Sequence, residues 1–174
     1  PGVASHARPE AERQAVRARL ERWVDEWDRF ADGRPPVFLD AQVDDRLIAT
    51  RNLVLFGTPE TNAVLARIHD RPPIRIGAKR YEVAGKVYAG DDLGLVLCYP
   101  NPLNPDRYVL IYSGELYGER CGINHKHDLI PDFIVFNARA FNYDDTNQHE
   151  VAGFFHLDWQ LDPKLTGARR HQPG

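Results

Sequence analysis

The sequence has no methionine and only two cysteines, Cys98 and Cys121. A complete translation product ordinarily keeps its initiator or loses it beside a small second residue, so Pro1 is expected to begin a trimmed product, whether by signal removal, proteolysis or choice of expressed boundaries. Two thiols allow one disulfide without requiring it, and a buried thiol at Cys98 is the plainer expectation. No apolar run approaches the roughly 18 to 20 residues that a membrane-spanning helix needs, so no membrane partner is expected. There is also no lysine- or arginine-rich block. With 22 basic against 25 acidic side chains and a formal charge of -3, nucleic acid is not expected as a partner either. Internal repeats and low-complexity tracts are absent.

What remains is a chain of 174 residues with 43% hydrophobic composition, sized for one globular domain. We expect a single α/β domain over residues 1–161, a fragment of a longer chain that lacks its first strand, followed by a frayed tail over 162–174. Val16, Leu20, Trp23, Val24, Trp27 and Phe30 recur at three- and four-residue spacing, which predicts an amphipathic helix over residues 9–31. Asp32-Gly33 and Pro35-Pro36 stop it. Val37–Leu39 is a short strand candidate, Asp44–Ala49 a turn of helix, and Asn52–Phe56 a buried central strand. Thr58 is placed to cap a following helix, with Pro59 in its first position and Val64, Leu65 and Ile68 on its inner face.

Farther on, strands over Ile74–Ile76 and Arg80–Val83 flank a turn at Gly77-Ala78-Lys79, and Gly85 and Gly90 punctuate another strand near Val87-Tyr88. Leu93–Tyr99 and Arg107–Tyr112 read as a hairpin joined by the loop Pro100–Pro105, because three prolines in six residues do not suit a ladder. Phe133–Phe136 and Val151–Phe155 complete the strands. The expected fold class is therefore α/β: a small mixed, mostly parallel sheet flanked by helices, with a proline-rich hairpin connection. The first helix has no strand before it, so a strand from elsewhere is expected to complete the sheet.

The run Asn52–Asn62 carries the clearest candidate site. A strand passing through a glycine turn into a helix presents unpaired N–H groups where α/β proteins bind ligands, which nominates Gly57, Thr58 and Asn62 for an anion or carboxylate. If Asn52–Phe56 and Arg107–Tyr112 run parallel, Ser113, Gly114 and Glu115 emerge at the same sheet edge and line the same cleft, and the proline loop lies at the opposite end as a connector. No phosphate-loop or dinucleotide glycine pattern is present, and no cofactor is expected.

Catalytic candidates are weaker as motifs. Ser113 with His125 and Asp128 or Asp132 has the residue types of a serine triad, and Cys121 with His125 those of a thiol pair. His125, His127 and Asp128 are metal-ligating types at close spacing, but zinc requires three or four converging donors, which would draw on His149 or His156. Asp144–His149 is polar enough for calcium yet lacks the alternating spacing of a dedicated loop. For each, an ordinary structural role is the simpler reading.

The run Asn52–Asn62, taken with Leu93-Gly94, Tyr99–Tyr108, Ser113-Gly114, Pro131-Asp132-Phe133 and Gly153–Phe155 followed by Trp159, resembles the α/β, Rossmann- or flavodoxin-like region that accompanies prolyl-oligopeptidase-like serine hydrolase domains in large exported bacterial proteins. The likeness covers most of residues 35–160. It implies an extracytoplasmic accessory domain whose partner is another domain or chain of the same parent protein, and a strand and glycine turn before the first helix. It transfers no triad, since the Gly-x-Ser-x-Gly elbow of the hydrolase is absent here. The chain departs from the pattern at Cys98, Cys121 and His125-Lys126-His127. The leading expectation is thus a non-catalytic accessory or partner-binding domain. The alternatives are a self-contained small hydrolase, using Ser113 or Cys121 with His125 or using zinc, and a flavodoxin-like module that binds a small molecule.

Overall fold

The computed structural model describes residues 10–118, 130–139 and 149–168. The chain divides into two compact units, residues 1–36 and 37–174. The first contains α1 (Glu10–Ala31), in agreement with the periodicity of its apolar residues. Glu10 and Glu12 stand in its first turn and Arg29 in its last, which complements the helix dipole. Trp23 stacks on Trp27 with centroids 5.4 Å apart, and Trp27 meets the edge of Phe30 at 6.0 Å, so the aromatic stripe is continuous. The helix stops where Asp32 turns left-handed at φ 49°. Arg34 then folds back to pair with Asp25 at 2.8 Å and Asp28 at 3.5 Å.

The second unit opens with a 3-10 turn at Asp40–Gln42 and continues through α2 (Asp45–Thr50), β1 (Leu53–Phe56) and α3 (Ala63–Ile68). A small antiparallel sheet follows, formed by β2 (Arg75–Gly77), β3 (Arg80–Val83) and β4 (Lys86–Ala89). Its second hairpin turns on Ala84 and Gly85, both at positive φ (50° and 76°), which matches the twist of the flanking strands. The rest of the chain supplies β5 (Leu93–Asn101), β6 (Asn104–Gly114), β7 (Phe133–Asn137), β8 (His149–Phe155) and β9 (Leu161–Ala168). With β1 these form a six-stranded sheet in the order β1-β6-β5-β7-β8-β9.

The expected α/β class is corrected by this topology. Among the described residues strand outweighs helix, 40% against 26%, and they are mostly β. Among the described strands only β1 and β6 run parallel; every other neighbouring pair in both sheets is antiparallel. The misreading has a physical cause. Continuous apolar runs signal burial on both faces, which parallel strands usually have, but an antiparallel strand covered on both sides looks the same. Here Leu93, Leu95 and Leu97 of β5 face the main core while Val96 is buried on the other side. The strand Asn52–Phe56, expected at the centre, is the terminal strand of the described sheet.

The core lies between one face of the large sheet and a layer made of α3 and the small sheet. Leu95, Leu97, Ile111, Phe133 and Val135 from the first meet Val64, Leu65, Ile68, Tyr81 and Val83 from the second. Burying each large aliphatic side chain contributes about 1.5–3 kcal/mol, so this interface dominates the stability of the unit. On the opposite face Phe56 stacks on Tyr112 at 5.3 Å, and Ile134 and Phe136 are also buried.

Three further expectations change. Val37–Leu39 forms no strand and its side chains are exposed. The region from Asp162, expected to fray, supplies β9, which pairs with β8 over Gly153 to Thr166 and neighbouring positions. The prolines enter the hairpin strands themselves: Pro100 opposes Tyr108, and Asn101 opposes Asn104 after a register shift. They are tolerated because β5 has no β7 partner beyond Leu97 and β6 has no β1 partner before Val109, so among the described residues Pro100 and Pro105 lie where one side carries no ladder.

Candidate functional site

The parallel register Phe56↔Tyr112 sets the carboxyl ends of β1 and β6 side by side, so Gly57 and Thr58 do adjoin Ser113 and Gly114. The Gly57 N–H donates to the Tyr112 carbonyl at 3.0 Å, extending the ladder one residue past β1. Gly57 then turns at φ 108°, a conformation that glycine adopts without strain. The next residues do not form a helix at once. Thr58 donates its N–H to Thr61 Oγ1 at 2.9 Å, and its carbonyl accepts from the N–H groups of Thr61 and Asn62, which makes a closed turn.

The cap of α3 is therefore Asn62, four residues later than Thr58. Its Oδ1 accepts from the N–H groups of Val64 (2.9 Å) and Leu65 (3.2 Å), and its Nδ2 donates to the Phe56 carbonyl at 3.1 Å. The Ala63 N–H donates to Asp40 Oδ2 at 2.8 Å. The helix terminus holds an anionic group, as electrostatics favour, but the group is a carboxylate of the chain itself. The first three N–H groups of α3 all have partners within the protein.

Across the joint, Ser113 is only 1% exposed, and its Oγ lies 3.4 Å from the Tyr81 hydroxyl, which donates to it. Gly114 follows at φ 73°, where an added Cβ would lie 2.3 Å from the Leu93 carbonyl oxygen and 2.4 Å from the Tyr81 hydroxyl. Glu115, half-buried, donates its N–H to the Leu93 carbonyl at 3.2 Å. The β1–β6 register thus sets Gly57 and Thr58 beside Ser113 and Gly114, Asn62 is tied to the end of β1, and Ser113 and Glu115 are tied to Tyr81 and Leu93.

The remaining candidates separate. Asp132 accepts the Phe155 N–H on its carboxylate at 2.8 Å and the Cys98 N–H on its carbonyl at 2.8 Å, which ties β7 to β8 and β5. Cys98 is a free, half-buried thiol. Burial, and secondarily the charge of Asp132, pushes its pKa up and holds it in the unreactive protonated form. Cys121, His125, His127 and Asp128 lie outside the described residues, as does residues 144–148 of the calcium candidate. His149 begins β8, half-buried, and burial lowers its pKa. His156 is exposed in the β8–β9 turn, 3.3 Å from Asp158. Among the described residues no group of three or more His, Cys, Asp or Glu side chains could hold a metal ion, and no helix is long and apolar enough to cross a membrane.

Several structural anchors were not evident in the sequence. Asp40 reaches α3 from 23 positions upstream, and Tyr81 reaches Ser113 from the small sheet. At the other end of β6, Asn104 Nδ2 donates to the carbonyls of Ile48 (3.1 Å) and Ala49 (3.2 Å) in the last turn of α2, while its Oδ1 accepts the Asp106 N–H. Asn101, fully buried, accepts the Leu103 N–H and shapes the hairpin turn. The density of asparagine and proline between Pro100 and Pro105 was the available signal for this end. No family model, curated protein or solved structure matches the chain.

Proposed function

We propose that the chain is a non-catalytic accessory or partner-binding module of an exported bacterial protein, acting beside a serine-hydrolase-like domain. One observation supports the reading: among the described residues, the polar groups that suggested chemistry are engaged inside the fold, with Ser113 beside the Tyr81 hydroxyl, the α3 terminus filled by Asp40 and Asn62, and Asp132 bonded to Phe155 and Cys98. A catalytic nucleophile and its base must meet substrate within hydrogen-bond reach. Ser113 is only 1% exposed, which argues against that role. The likeness of the Asn52–Asn62 and Tyr99–Tyr108 runs to hydrolase-associated regions supplies the kind of partner, another domain or chain of the same parent protein.

The direct test is binding. Purified chain and the prolyl-oligopeptidase-like domain of the same parent protein, mixed at micromolar concentration, are expected to co-elute in size-exclusion chromatography. Separate elution across the concentration range would count against partner binding.

A further inference from the structure

We draw no further inference here: the strongest candidate, the aromatic cluster that Trp159 of the β8–β9 turn forms with Tyr99 and half-exposed Tyr108, is accounted for by its packing on the core beside Phe155, and nothing in the structure shows what covers its outer side.

Discussion

The two ends of β6 are held by opposite means. At Gly114 the chain closes by omission: the absence of a side chain lets the Leu93 carbonyl and the Tyr81 hydroxyl approach the backbone. At Asn104 it closes by addition, with one amide side chain bonding two carbonyls of α2 and one N–H of its own turn. The first kind of joint has no tolerance for added volume. The second loses its hydrogen bonds one at a time, so the two ends should respond to substitution in different ways.

The largest effect is expected at the closed end. Gly114→Ala forces a Cβ into contact with backbone at a positive φ, which combines overpacking with a left-handed conformation and should cost about 3 kcal/mol or more. A urea unfolding midpoint within error of the parent would show that the joint relaxes freely and that the contrast is false. At the open end, Asn104→Ala removes two donated bonds and one accepted bond, for an expected loss of about 2 kcal/mol. Asn104→Asp sharpens the assignment, because it keeps the acceptor for Asp106 but faces the Ile48 and Ala49 carbonyls without a donor. It should be no more stable than the alanine variant.

Beside the closed end, Asp40→Ala should cost about 1 kcal/mol by freeing the Ala63 N–H, as for loss of a helix cap. Ser113→Ala removes a single long hydrogen bond and should cost roughly 0.5–1 kcal/mol. If it cost several times that, Ser113 would have a role in the joint beyond the Tyr81 contact. The smallest effect lies away from both ends, at His149. Its neutral form is favoured by burial in the folded state, whereas the unfolded chain takes up the proton near the ordinary value of about 6.5. Its contribution is therefore complete above that pH and declines as pH falls below it, until the folded imidazole also protonates. Melting curves between pH 7.5 and pH 5 should show a shallow loss that is reduced in His149→Phe; an equal slope in both proteins would assign the loss to other groups.

Much of the local structure was legible. The α1 stripe, the small hairpins and the hydrophobic runs of β5, β6, β7 and β8 follow from periodicity and turn residues, and the link between Gly57 and Ser113 followed from assuming that two strands run parallel. Strand direction elsewhere was not legible, since runs such as Phe133–Phe136 are apolar at every position and carry no mark of parallel or antiparallel pairing. The prolines misled because their cost depends on whether a neighbouring strand is present, which is a property of the sheet. The cap at Thr58 was misread for a related reason. Gly57, Thr58 and Asn62 do signal a helix terminus, but the residues that fill it come from Asp40 and from Asn62 itself, and a local pattern cannot show a partner 23 positions away. Ser113 likewise carries no sign of Tyr81 above it.

The most direct test of the proposed non-catalytic role is turnover of p-nitrophenyl esters and chromogenic peptides by the purified chain beside its Ser113→Ala, Cys121→Ala and His125→Ala variants. Rates equal to buffer are expected for all four. Turnover by the parent chain that disappears in any one of the folded variants would contradict that role.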